Sequence, residues 1–509
     1  MAPFAGARRD FQHPPADSRG ECPKLNDISP TSASTQARLR RILPSAVFVV
    51  VIDTTVMNVS ISAVAEDLGT DVTGVQSAIA LFALTVASSL LVASRVADAI
   101  GRMRAFRLGL GIYLFGTLLT AVAPNLAVLI IGWSFIEGLG TALVLPTAQA
   151  LVRNHFEGEE RLAMYARVAS VIGLAAAIGP LLGGVVTTYL SWRIAFAGEG
   201  VVIIVALVAI QRLGQISSVG EGVELDFVGA GLTMGGLGGM VGALIALRPL
   251  GQAPAAGLLV LGICCLLGLT RWLQHREANG REPLMHRSIF RVKTFRLAAG
   301  VMMAFNFANG GFLLVVPVQL QYVLGADALG AGLVLAPMSL SLFVVSLGLP
   351  RWLPDLRPRL ALMSGITLVA LGCIGLIPGL EPARSAWALI GPLTLIGIGA
   401  GCIVSHVFNV ILSSVPLERS TEAAGLASTG IQFAIAMGTA SAGAVITTSL
   451  GGDIADQAAA VGGLFTPADQ TRALQLGLAA PILVASIAAL ASRSLDPDAG
   501  LVDQEATSA

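Results

Sequence analysis

From about Ile42 onward the chain is a succession of apolar runs separated by short polar turns. Each run is roughly 18–25 residues, enough as a helix to cross a ~30 Å hydrocarbon core. About fourteen can be counted, near 42–64, 75–95, 106–123, 126–149, 164–188, 194–211, 227–247, 255–273, 297–322, 329–349, 360–379, 385–411, 423–448 and 473–491. The runs lack strand periodicity, and in lipid only helices or closed barrels satisfy every backbone hydrogen bond. An all-α membrane protein is therefore expected. Composition excludes the alternatives. Only 12% of the 509 residues are charged, about half the share of a soluble domain. The 55% hydrophobic content is equally incompatible with a disordered chain. Basic and acidic residues balance at 31 each, so no positive excess favours a nucleic-acid partner. Cys22, Cys264, Cys265, Cys373 and Cys402 have neither disulfide nor metal-ligand spacing.

Arginine placement orients the spans. With a cytoplasmic N-terminal tail, the inward-facing turns carry 23 Arg and Lys residues and the outward turns four: Arg193, Arg248, Arg384 and Arg472. An even number of spans with both termini inside follows. We divide the chain into a disordered tail at 1–41, a six-helix half at 42–211, and two extra helices with a basic loop at 212–296. A second six-helix half follows at 297–492, then a tail at 493–509. The tail at 1–41 is polar and Pro- and Ser-rich, without the apolar core of a signal peptide. A weak repeat links the halves: the turn at 94–102, with Asp98, Gly101 and Arg102, resembles that at 349–359, with Asp355 and its arginines. Duplicated halves around a central cavity are common transporter architecture.

Several motifs resemble the major facilitator superfamily, specifically its fourteen-helix branch of drug:proton antiporters, over about 42–492. The turn at 94–107 is similar to the signature loop Gly-x-Leu-Ala-Asp-Arg-x-Gly-Arg-Lys: it keeps Asp98, Gly101 and Arg102 and departs at Ser94, Ala99 and Met103. The resemblance implies that this acid pairs with neighbouring helix ends as a breakable latch, weakened here by Ala99. The fifth span holds Gly173, Gly179, Pro180, Gly183 and Gly184, which is similar to the antiporter motif Gly-Pro-x-x-Gly-Gly. Small residues let helices approach closely and Pro permits a kink. A generic packing face is the plainer reading. Ser191-Trp192-Arg193 and Phe196 also match the branch, as do Asp53 to Val59 in the first span and Leu225-Asp226-Phe227-Val228-Gly229 at the seventh.

Two acids lie at mid-span depth. Asp53 stands halfway along the first span and Glu137 near the middle of the fourth. A charged acid there costs about 2.5–3.5 kcal/mol on insertion scales, so it should face a polar cavity or carry a proton. A structural acid bonded to a neighbouring helix is the simpler alternative for Asp53. The branch has Arg-x-x-Gln-Gly-x-Gly in the fourth span, where this chain reads Ser134-Phe-Ile-Glu137-Gly138-Leu-Gly140. Either Glu137 takes over part of a proton relay with Asp53, or loss of the Arg marks altered coupling. Asn58, Asn306, Asn309 and Gln432 are candidate cavity residues, with interhelical packing equally open to them. Glu199 reads as interfacial, and Trp192, Trp272 and Trp352 as interface anchors at span ends.

No nucleophile–base pair, phosphate loop or metal cluster is visible, so no enzyme, metal or cofactor is expected. The resemblance implies proton-coupled efflux of drugs or amphipathic, cationic molecules across a bacterial cytoplasmic membrane, by a monomer using alternating access. Its partners would be a small-molecule substrate, protons and the lipid bilayer. Transport of one endogenous metabolite and a non-transporting sensor with the same fold are the alternatives.

Overall fold

The computed structural model describes residues 33–211, 226–247, 250–281, 283–381, 385–416, 419–450 and 467–495. The tails at 1–32 and 496–509, with Cys22, Arg212, Leu225, Arg248 and Arg384, lie outside the described residues. Fourteen long helices follow in order: α1 Ala33–Val59, α2 Val72–Ile100, α3 Arg102–Ala121, α4 Leu126–His155, α5 Gly158–Tyr189, α6 Trp192–Gln211 and α7 Phe227–Ala246. Next come α8 Gln252–Ala278, α9 Lys293–Val323, α10 Ala328–Trp352, α11 Pro358–Gly379, α12 Ala386–Ser413, α13 Ser420–Leu450 and α14 Asp469–Ser494. Thirteen are long and apolar enough to cross a membrane. The exception is α3, whose first two turns hold Arg102, Arg104 and Arg107. It nonetheless packs on α4 and α6, and it leaves Leu108, Phe115 and Leu118 exposed on its outer face as a lipid-facing helix would. Helix α1 begins at Ala33, so residues 33–41, expected to be tail, are helical.

Helix starts are fixed by a recurring local device. Asp71, Asp226 and Asp327 each precede a helix, and each accepts a hydrogen bond from the backbone N–H three residues on, at Gly74 (2.6 Å), Gly229 (2.8 Å) and Gly330 (2.7 Å). Such a cap satisfies one of the orphan amides at a helix start. Asp71 and Asp327 open α2 and α10, which stand eight helices apart.

That interval of eight governs the packing. In the first half α1 packs on α5 and α6, α2 on α4, and α3 on α4 and α6. The second half repeats each of these pairings with eight added: α9 on α13 and α14, α10 on α12, and α11 on α12 and α14. The contacts between halves obey the same rule, α5 with α10 and α13 with α2. The extra helices α7 and α8 pack on each other, and α7 also lies against α2 and α13. Its Val241 shares a buried cluster with Ala80, Ala83, Ala436 and Ala440.

The halves are tied at the end where α1 finishes. Gln321 accepts from the Ser62 N–H (3.1 Å) and hydroxyl (2.5 Å) and donates to the Val59 carbonyl (3.0 Å). Nearby, the Leu329 N–H donates to Thr188 Oγ1 at 3.1 Å. Trp192 is not an interface anchor: it is 2% exposed, donates to Asp67 at 3.0 Å and meets Phe196 edge-on. Burial on α6 takes it out of the interface because Asp67 offers its indole N–H a partner inside the protein. Trp272 is likewise held, donating to Asp226 at 2.8 Å, whereas Trp352 is 61% exposed at its span end.

Candidate functional site

Helix α4 is not α-helical throughout. From Ile130 to Glu137 its hydrogen bonds run i→i+5, a π-helical stretch, and such stretches are frequent at functional sites. This stretch buries both Trp133 (1% exposed) and Glu137 (0%) inside the first six helices. The Trp133 ring stacks on Phe82 of α2 at 4.8 Å between centroids and meets Phe196 of α6 edge-on at 6.5 Å. Its indole N–H reaches Asp53 of α1, at 2.9 Å to Oδ1 and 3.0 Å to Oδ2.

The structure thus brings the two mid-span acids together and adds a third. Carboxylate oxygens of Asp53, Glu137 and Glu199 all lie within 4.8 Å of one another, and all three residues are buried. Two unit charges about that far apart repel by roughly 3.5 kcal/mol at an effective dielectric of ~20. Glu199 is therefore not interfacial, as its place in the span suggested. It lies two helical turns in from the start of α6, where the Tyr113 hydroxyl of α3 donates to its Oε2 at 3.3 Å. Neither oxygen of Glu137 has a hydrogen-bond partner, and neither does the buried Thr117 hydroxyl beside it. Close approach of α3 to α4 builds this corner. A Cβ on Gly140 would stand 2.5 Å from the Tyr113 nitrogen and 2.7 Å from its Cα, so only glycine admits the Tyr113 backbone.

Chemically, a buried cluster of three carboxyl groups can hold and release protons. Three oxygen donors this close are also the donor set of a hard cation. The Trp133 N–H, however, occupies the face of Asp53 that a cation sharing both oxygens would take.

The other expected residues fall elsewhere. Asp98 accepts from Arg102 at 2.9 Å across the α2–α3 turn, both half-buried, so the acid pairs within its own turn. Gly101 between them has φ +92°, a conformation that L residues rarely adopt. The glycines of α5 serve two partners. Gly179 and Gly183 face Thr55 and Val56 of α1, whereas Gly173 faces Phe343 and Gly184 faces Ala328 and Leu329, all on α10. Pro180 lies under Gly332 of α10, so the motif is a joint of three helices. Asn58 donates to Thr54 at 2.7 Å and Asn306 to Met302 at 2.8 Å, each within its own helix. Asn309 and Gln432 are half-buried on α9 and α13. Sequence reasoning missed Tyr113 and Trp133 and placed Glu199 at the interface. A usable signal existed for Glu199, because apart from Asp53 and Glu137 the other acids of the first six spans lie at helix ends.

The family model described as Major Facilitator Superfamily matches residues 45–220 and 225–439. The chain is 30% identical over 424 residues to the puromycin resistance protein of Streptomyces alboniger, covering 82% of each. It is 29% identical to a cephamycin export protein of Amycolatopsis lactamdurans, covering 87% of this chain and 91% of that one. A multidrug resistance protein of Mycobacterium tuberculosis is 26% identical, with 79% and 74% covered. Among solved structures, a peptide transporter crystallised with sulfate superposes with a TM-score of 0.64 at 16% identity, over 90% of this chain and 95% of that one.

Proposed function

The chain belongs to the major facilitator superfamily, and on that premise we propose that it exports drugs or amphipathic, cationic small molecules across the bacterial cytoplasmic membrane in exchange for protons. The observation that carries proton coupling is the meeting of Asp53 and Glu137, buried and within 4.8 Å of each other. Buried acids in membrane spans are costly and mark ion or proton paths. The names of the resistance and efflux relatives support outward drug movement.

Helix α1 connects the parts of the cycle. It carries Asp53, packs on the antiporter glycines Gly179 and Gly183, holds Asn58 five residues further on, and ends at the Gln321 tie to the second half. Proton arrival at Asp53, directly or by way of Glu137, neutralises the cluster and loosens the hold of Trp133 on Asp53. α1 is then free to shift against α5 and α9, and a cationic substrate among Asn58, Asn306, Asn309 and Gln432 is released. Alternating access rocks α1–α6 against α9–α14. With the arginine-rich ends in the cytoplasm, the Gln321 tie closes the outer side, while the Asp98–Arg102 turn stays within one half.

In cells expressing the protein, collapse of the proton gradient is expected to raise ethidium accumulation to that of cells lacking it. Accumulation indifferent to the gradient would overturn proton coupling. The joint at Gly184 gives a second test. A Cβ there would stand 2.7 Å from the Ala328 carbonyl oxygen and 2.9 Å from Leu329 Cα, across the two halves. Gly184→Val should abolish efflux while membrane expression persists, with an overpacking cost of about 1–3 kcal/mol; efflux at the wild-type rate would sink that role. Relatives named for puromycin and cephamycin favour a second reading, export of a single compound. Protection of a pump-deficient strain against one compound in a panel would select it.

A further inference from the structure

We infer that Glu199 is a third proton-carrying group of the buried site, so that the cluster stores two protons, on Glu137 and Glu199, around one ionised carboxylate, Asp53. The inference rests on the proton-coupling reading above and sharpens it from one exchangeable site to two.

The assignment follows from which donors meet which oxygens. The Trp133 N–H reaches both oxygens of Asp53, 2.9 and 3.0 Å away, and that donor suits an anion. Glu137 is 0% exposed, and only the neutral hydroxyls of Tyr113 and Thr117 stand beside it, so an ionised Glu137 would be a buried charge without a compensating cation. Glu199 meets a single neutral donor, the Tyr113 hydroxyl. The groups facing the cluster are Phe82 from α2, Tyr113 and Thr117 from α3, Trp133 from α4 and Phe196 from α6. Among the described residues none of the three acids takes part in an ion pair. Three negative charges within 4.8 Å with no cation cannot coexist, and protons on two of them remove the conflict.

The remaining neighbours of Glu137 are neutral hydroxyls. Thr117, 0% exposed, stands beside Glu137 with its hydroxyl unpartnered. Its hydroxyl is the one polar group of α3 besides Tyr113 that stands against Glu137, and it is neutral, so it brings no cation to the cluster. Tyr113 lies between the two glutamates and can pass a proton along. Its O–H bond to the phenol oxygen breaks as that proton goes to an ionised Glu199 Oε2, and the phenol oxygen takes up the proton leaving Glu137. Tyr113 ends unchanged, one proton has moved from Glu137 to Glu199, and no net charge is created.

Infrared difference spectroscopy of the purified full-length protein across a pH titration reads buried carboxylic acids directly and needs no transport substrate. Wild type is expected to lose two such carbonyl bands on alkalinisation and to release two protons. Glu199→Gln should abolish one band and halve the proton release, and Glu137→Gln should abolish the other. Tyr113→Phe should shift the Glu199 band without removing it, which a purely structural role for Glu199 would not produce. Glu199→Asp keeps a carboxyl group in place should Glu199→Gln fail to fold. A full two-proton release from Glu199→Gln, or a Glu199 band unmoved by Tyr113→Phe, would overturn the inference. The ethidium experiment keeps the two claims apart. Gradient-dependent efflux with no Glu199 band removes the third carrier and leaves coupling standing. A Glu199 band with gradient-independent efflux removes coupling itself.

Discussion

Asp53→Asn is expected to reduce gradient-driven efflux in everted vesicles to the background of vesicles without the protein, while membrane insertion is retained. The substitution preserves shape in a position that is 0% exposed. Its carbonyl oxygen still accepts from Trp133, so the stacking of Trp133 on Phe82 and the π-helical stretch of α4 persist. What is lost is the ability to gain and release a proton, together with the one negative charge around which Glu137 and Glu199 are arranged. Substrate exchange without a gradient should therefore survive where net uphill efflux does not. Undiminished efflux driven by a pH gradient in the Asp53→Asn vesicles would remove Asp53 from the coupling machinery.

The second large effect is expected at Gly140. A Val side chain there meets the backbone of Tyr113, and backbone cannot retreat as a flexible side chain can. Overpacking of this kind costs about 1–3 kcal/mol, and relief requires α3 to move away from α4. That movement withdraws Tyr113 from Glu199 and opens the carboxylate cluster to water. Gly140→Val should lower the thermal unfolding midpoint of the purified protein and abolish efflux together. Gly138→Ala is expected to be milder, because its Cβ would stand 3.1 Å from the side chain of Thr85, which can yield. Equal melting of Gly140→Val and wild type would show that the α3–α4 approach has slack.

The number and class of helices are legible in the sequence because apolar run length and arginine placement are one-dimensional signals. Mid-span acids are legible for the same reason: depth follows from counting residues. What the sequence does not display is which side chains meet. These helices are apolar nearly all round, so no polar face marks the side turned to a neighbour, and the partners of Asp53 cannot be read from spacing along α1. The π-helical stretch compounds this, since one altered turn sets the direction of Glu137 and Trp133 without leaving a mark in composition. Glu199 shows how a local cue misleads. Two turns from a helix start reads as an interface, yet α6 starts below Asp67, and its Trp192 is already covered. The start of α1 at Ala33 escapes the apolar count because Arg38, Arg40 and Arg41 interrupt it.

Helix α7 lies against both α2 and α13, so the two seams between the halves are mechanically unlike. Parting α5 from α10 separates two helices with no third helix wedged between them. Parting α2 from α13 must also strip the wedge α7, with Val241 among the alanines, from at least one of them. The twofold repetition of the packing therefore does not extend to its motion. In a rocking cycle the wedged side is expected to be the pivot and the wider opening to fall on the side of α5 and α10.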